Sequence, residues 1–372
     1  MEIRPADGER GLRVVIAPDS FKGTVAASDA ARLIAEGWRI ERPGDALTLL
    51  PQADGGEGTL DALATGEPRS SRYQAGLVTG PDGRPTPGEW LELPGLIAVV
   101  ELAQMSGLAL MAQPDPLTAS TVGLGQVIGA ALDAGMRRIV VGAGGSASTD
   151  GGAGAFSALG VDLVDAHGTP IGVGGGELAR LARADLTRLR AAPPDGVTVL
   201  ADVESPLLGA TGAAAVFGPQ KGASPSDIRV LDAALETFAR QIGGNPDAPG
   251  CGAAGGTAFG FAAMWGATIE SGADFVAEAT GLSDAIATAD VVVTGEGRFD
   301  HTSLVGKVVG RVLARAASSG TTALVIAGSV TTHTGVPTFS LTEIAGSSDA
   351  AMADPFAALI EAGRRAAQAV IP

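Results

Sequence analysis

The 372-residue chain has one cysteine, one tyrosine, three histidines and, at positions 22, 221 and 307, only three lysines. A lone Cys251 gives no disulfide framework and no zinc cluster. His167, His301 and His333 stand at no metal-ligand spacing and form no Ser-His-Asp arrangement, which argues against hydrolysis by a triad. Basic residues number 25 against 41 acidic ones, a net charge of −16. Such a chain lacks the basic face that a nucleic-acid backbone needs, although a few local cations still suit a small anion. There is no G-x-x-x-x-G-K-[ST] phosphate loop, no protein-kinase glycine loop and no H-R-D. Long apolar runs are missing too. The most apolar stretch, LPGLIAVVELAQMSGLALMA, is interrupted by Glu101, Gln104 and Gly107, so no membrane span is expected. The start, MEIRPADGERGLR, is charged and has no apolar core, unlike a signal peptide, and the expected location is cytoplasmic.

Aromatics make up 4% of the chain, and Gly, Ala and Val fill the space instead, with 55 glycines in no fixed period. Short apolar runs end abruptly in Gly, Pro, Asp or Ser: RVVIAP (13–18), ALTLLP (46–51), RIVVGAG (138–144), DVVVTG (290–295), TALVIAG (322–328) and a weaker FSLT (339–342). Continuous rather than alternating apolar runs fit strands buried on both faces, as in a parallel sheet under helices. Helical patterns follow most of them. AASDAARLIAEGW, with Ser28 or Asp29 near its start, follows the first, and GKVVGRVLARAASSG follows DVVVTG. The alternation predicts a doubly wound α/β sheet. Between 66 and 284 the series breaks into Pro- and Gly-rich segments with short strands such as EWLEL and LIAVVELA. This predicts one α/β domain from 1–65 and 285–372, with a second α/β domain, 66–284, inserted in it. RIVVGAG is compatible with either sheet.

Ligands of open parallel sheets bind beyond the carboxyl ends of the strands. The loops there are PDSFKG (18–23), QADGGEG (52–58), GAGGSASTDGG (142–152) and TGEGRFD (294–300), all glycine-rich. Together they supply Asp19, Ser20, Lys22, Asp54, Gly55, Gly56, Gly144, Gly145, Ser146, Asp150, Glu296, Arg298 and Asp300. GAGGSASTDGG precedes a helical pattern, and backbone N–H groups aimed by a helix N-terminus hold phosphate well; the plainer reading is a tight turn. Acids at strand ends, as in TGEGRFD, suit Mg²⁺, which takes one or two carboxylates and leaves room for phosphate oxygens. Their plainer role is to favour a helix N-terminus. Lysine acts on phosphate as a point charge, and the scarcity of Lys22, Lys221 and Lys307 singles them out. Lys307 begins a helical pattern, where the macrodipole disfavours a cation unless an anion is bound.

Read in order, VVIAPDSFKGTVAA, PQADGGEGT, ELAQMSGL, GAGGSASTDGGAGAFSALG, ADVESPL, VFGPQKGA, PGCGAAGG and TGEGRFDHTSLVGK resemble the bacterial glycerate kinases of the glyoxylate and sugar-acid type, from about Val14 to Gly328. The family usually has Asn at the position of Ser205, Met at Leu102, and often Gln-Thr after the last acid. The resemblance implies ATP-dependent, Mg²⁺-assisted phosphorylation of D-glycerate, mostly to 2-phosphoglycerate. It also implies a flavodoxin-like domain with a large inserted α/β domain and the site in the cleft between them. On that footing Asp54 or Asp150 is the base for the glycerate hydroxyl. Glu296 and Asp300 lie near Mg²⁺ and ATP, and Lys22, Arg298 or Lys221 meets the glycerate carboxylate. Two other classes stay open. An NAD(P)-dependent oxidoreductase would use GAGGSA with Asp162 or Asp165 on the next strand. A non-catalytic sugar-acid sensor would need fewer acids.

Overall fold

The structure is a computed structural model that describes residues 11–21, 23–304, 307–332 and 335–370. Lys22 and His333 fall outside the described residues. The strands are β1 (Arg13–Ile16), β2 (Ala46–Leu49), β3 (Ser71–Thr79), β4 (Pro85–Leu93), β5 (Ile97–Glu101), β6 (Arg138–Gly142), β7 (Asp162–Val164), β8 (Arg183–Asp185), β9 (Val197–Leu200), β10 (Thr268–Glu270), β11 (Val291–Phe299), β12 (Thr322–Val330) and β13 (Thr338–Ser340). The described chain divides into two compact units. Unit 1 holds the residues up to Ala53, Asp61–Gly66 and those from Val276 on, and unit 2 holds Asp54–Leu60 and Glu67–Phe275.

Unit 1 is built on a five-stranded, all-parallel sheet in the order β13-β12-β11-β1-β2. Numbered within the unit this is 2-1-3-4-5, the flavodoxin-like doubly wound order, whose direction reverses between β1 and β11. The apolar runs are continuous because these strands are covered on both faces; Val14, Val15, Ile16 and Val291–Val293 are all buried. The helix Ala27–Glu41 begins at Ala26 without a side-chain cap, so neither Ser28 nor Asp29 caps it, although Asp29 lies in its first turn. FSLT is strand only as far as Ser340, whose hydroxyl then accepts Glu343 N–H and caps the next helix.

Helix Ala27–Glu41 packs on helix Pro355–Ala369 so closely that backbones touch. A Cβ on Gly37 would lie 1.8 Å from the Ile360 carbonyl, and one on Gly363 would lie 2.3 Å from that of Ile34. Fully buried Trp38 closes the same seam and donates its indole N–H to Asp45 at 2.9 Å.

Unit 2 holds a six-stranded sheet, β10-β9-β6-β5-β4-β3, parallel from β10 to β5 and antiparallel across β4 and β3. RIVVGAG therefore belongs here, as β6 between β5 and β9. Phe156, Phe261 and Trp265 meet in the core with ring centroids 4.8–5.7 Å apart. β7 and β8 pair antiparallel in a separate two-stranded sheet.

Gly37→Ala is expected to destabilise unit 1 by about 1–3 kcal/mol, because the added methyl meets backbone that has no room to yield. Gly44→Ala, where a Cβ would have nothing within 4 Å, is the control and should be near neutral. Urea denaturation of both variants checks this; equal stabilities would contradict the packing.

Candidate active site

In unit 2 the segment from Asp54 to Gly58 lies across the carboxyl ends of the parallel strands, held there by backbone contacts. Gly55 has φ +87°, and a Cβ on it would lie 2.9 Å from Leu200 Cβ at the end of β9. Gly144 N–H, just past β6, donates to the Gly55 carbonyl at 3.3 Å, and a Cβ on Gly144 would lie 2.4 Å from Gly56 Cα. Gly272, past β10, leaves no room for a Cβ beside the Asp54 carbonyl. From the end of β5, the buried Glu101 carboxylate accepts Gly58 N–H at 3.0 Å and Leu60 N–H at 3.2 Å. Asp54 itself is half-buried, its Oδ1 accepting Gly56 N–H at 3.1 Å, while Glu57 is exposed.

The loop 142–152 departs from the anion-cradle expectation. The helix after it, Ala153–Ala158, already has an anion at its N-terminus, the carboxylate of Asp150. That carboxylate is fully buried and accepts Thr121 N–H (2.9 Å), Thr121 hydroxyl (2.8 Å), Gly152 N–H (3.1 Å) and Gly154 N–H (3.2 Å). Asp150 thus ties the loop to Thr121 and to the start of the helix, and its carboxylate is covered where a general base needs one that reaches the proton it removes. Gly144 spends its N–H on Gly55. Gly145 is exposed, and its carbonyl accepts Leu108 N–H.

Lys221 is buried as well. It ends the short turn Pro219–Lys221, is 2% exposed, and donates to Ser146 Oγ at 2.7 Å and to the Ser148 carbonyl. Burial pulls its ammonium down to about 7, against the opposing charge of Asp150. Ser146, Lys221 and Asp150 therefore rivet the loop from inside.

The remaining predicted residues lie in unit 1, at the reversal of strand order. Beyond β1, Asp19 N–H donates to the Gly295 carbonyl at 2.8 Å and Asp19 Oδ1 accepts Ser20 N–H at 2.6 Å. Thr294 Oγ1 donates to the Ala17 carbonyl at 2.9 Å, but here the expected loop TGEGRFD departs from expectation: β11 runs on through buried Glu296 to Phe299, still paired with β12, and only Asp300 lies past it. Arg298 is exposed and pairs with Asp300 at 3.5 Å. Asp300 Oδ1 accepts both Thr302 N–H (2.8 Å) and the Thr302 hydroxyl (2.6 Å); these bonds, with Lys307 and Arg298 nearby, hold its pKa below the usual carboxylate value. Lys307 is the exposed N-cap residue of helix Val308–Ser319 and makes no side-chain cap. Asp300 gives it a nearby counter-charge that its sequence position did not reveal.

Asp19 and Ser20 thus follow β1 in unit 1, Glu296 and Arg298 lie on the far part of β11 and Asp300 and Lys307 after it, while Asp54, Gly55, Gly56, Gly144, Gly145, Ser146, Asp150 and Lys221 lie in unit 2. Sequence reasoning passed over Glu101 as a break in an apolar run. An acid closing a buried strand was the signal available.

A model of the glycerate kinase family matches residues 14–371. The chain belongs to the glycerate kinase family. It is 41% identical to a glycerate kinase of Bacillus subtilis over 331 residues, 86% of this chain and 85% of the relative. It is 40% identical to the glycerate 2-kinase of Escherichia coli over 334 residues, 87% of each. A crystal structure assigned as glycerate kinase 2 from Salmonella typhimurium LT2 superposes with a TM-score of 0.82 at 37% identity, covering 96% of this chain and 98% of that one. Membership in the glycerate kinase family makes the chain a kinase. The fold speaks against the dinucleotide alternative as well. Asp162 lies on β7, which joins β8 in its own antiparallel pair and not the sheet of β6, and it is bound by Arg188. Asp165 caps its own turn through His167 N–H and Thr169 N–H.

Among the described residues no group of three or more His, Cys, Asp or Glu is arranged to hold a metal ion, and no helix is long and apolar enough to cross a membrane. One or two carboxylates suffice for Mg²⁺ that keeps phosphate and water ligands, and unit 1 carries Glu296 on β11 and Asp300 one residue past it.

The folded-state value of Lys221 lies below its ordinary 10.5, so between about 7 and 10.5 the unfolded chain binds more protons and rising pH stabilises the fold. Relative to Lys221→Met, the natural chain should gain stability across that window by up to about 1.4 kcal/mol per pH unit. Urea denaturation at several pH values reads the difference; a pH-independent gap would show that Lys221 is not desolvated.

Proposed function

We propose that the chain transfers the γ-phosphoryl group of ATP to D-glycerate with Mg²⁺ assistance, giving 2-phosphoglycerate in the cytoplasm. The observation that carries this reading is the Asp54 segment, fixed over the carboxyl ends of β5, β6, β9 and β10 in a member of the glycerate kinase family. Phosphoryl transfer asks of the protein mainly positioning and charge neutralisation. Asp54 is the one of the two base candidates that keeps an accessible carboxylate, and it takes the proton of the attacking glycerate hydroxyl.

In unit 1, Lys307 and the N-terminus of the helix that it precedes attract phosphate oxygens together. Arg298, exposed and with five donors in a fork, suits the carboxylate of glycerate better than buried Lys221. Asp19 and Ser20 orient polar groups of the substrates. Glu296 and Asp300 would hold Mg²⁺, which supplies neutralisation of the charge on the phosphate oxygens. The single cysteine, buried and with its thiol pushed up by burial, suits a reducing compartment.

A coupled assay with ATP and D-glycerate, with and without Mg²⁺, tests the reaction, and phosphorus NMR of the product locates the new ester. ADP release that needs both D-glycerate and Mg²⁺ is expected; NAD(P)-dependent oxidation instead would overturn the reading. Asp54→Asn should lower kcat by ~100-fold or more with KM for ATP within a few-fold, as expected for loss of a base. Activity close to that of the natural enzyme would remove Asp54 from the chemistry. Lys307→Ala should weaken Mg-ATP binding by ~1–3 kcal/mol, the scale of a charged hydrogen bond. Calorimetric titration measures it, and unchanged affinity would leave Lys307 as a helix-end residue only.

A further inference from the structure

Glu101 is a buried carboxylate in no direct role of the proposed reaction. Burying a charge is costly unless it is hydrogen-bonded, and here two backbone N–H groups at the start of helix Thr59–Gly66 supply the bonds. A helix can be capped more simply by a neighbouring Ser, Thr, Asp or Asn. This cap comes instead from 43 and 41 residues away in the chain, from the last residue of β5. A local cap would order the helix alone; a cap from β5 also fixes where the segment stands on the sheet.

The bonds run on without a gap to Asp54. Glu101 holds Gly58 and Leu60. Thr59, between them and fully buried, donates its hydroxyl to the Gly56 carbonyl at 2.7 Å. Gly56 in turn donates its N–H to Asp54 Oδ1. We infer that Glu101 is a positioning residue for Asp54, transmitting the position of β5 to the Asp54 carboxylate through Gly58, Thr59 and Gly56. This rests on the reading of Asp54 as the base. A loss of aim of about 1 Å is enough to cost ~100-fold in rate.

Glu101→Gln keeps the size and one acceptor but turns an NH₂ toward a backbone N–H; Glu101→Asp keeps the charge and withdraws it by one methylene. Steady-state kinetics per folded molecule are measured for both, for Asp54→Asn, and for the double variant Glu101→Gln with Asp54→Asn. Glu101→Gln should lower kcat ~10- to 100-fold with KM for ATP within about two-fold, and should have less than about a two-fold effect in the Asp54→Asn background. A kcat equal to that of the natural enzyme, whatever the melting temperature, overturns the inference, and so does an equal loss in both backgrounds. If Glu101→Gln does not fold, the kcat of Glu101→Asp decides by the same criteria. Failure of the underlying reading is seen separately, as full activity of Asp54→Asn alone, and the inference then falls with it.

Discussion

Backbone lying directly on backbone at the Asp54 segment is the constraint on which the site of unit 2 depends. Four strand ends converge there, and Gly55, Gly144 and Gly272 let the loops that follow them come closer than any side chain allows. A methyl group on Gly144 or Gly272 would push the segment off the sheet, and the carboxylate of Asp54 would move with it. The abundance of glycine in these loops therefore has a structural reason as much as a ligand-binding one. At Gly144 the amide is given to the Gly55 carbonyl and not to a ligand.

Unit 2 then spends three buried charges on keeping its loops in place. Asp150 neutralises the start of one helix and ties it to Thr121; Glu101 does the same for the Asp54 segment from a neighbouring strand. Lys221 fills the inside of the serine-rich loop, bonded to Ser146 and Ser148. Each is hydrogen-bonded by the chain itself, the condition under which a buried charge is tolerated. Unit 1 keeps its charges more open. Arg298 and Lys307 stand exposed beside Asp300, while Glu296 is buried.

Much of this was legible in the residues. Runs such as RVVIAP and DVVVTG announced doubly covered parallel strands because nothing polar interrupts them; the loop expected after DVVVTG is instead strand as far as Phe299, paired with β12 despite its glycines and charges. The motifs in their order pointed to the glycerate kinase family, as the family match bears out. What could not be read was which acids face inward. Asp54 and Asp150 sit in similar acid-and-glycine loops, yet Thr121, 29 residues away in the chain, makes one of them a structural tie. Lys221 looked like a free phosphate lysine because its burial depends on the serines 73 and 75 residues before it. Glu101 was hidden for the converse reason: its partners, Gly58 and Leu60, are bare backbone groups that carry no sequence signal of their own.

The most direct test is a crystal structure of the protein with D-glycerate and a non-hydrolysable ATP analogue. It should place the reacting hydroxyl of glycerate within about 2.6–3.2 Å of an Asp54 carboxylate oxygen, with Asp150 still bonded to Thr121. Glycerate bound away from Asp54, or against an Asp150 released from Thr121, would contradict the assignment.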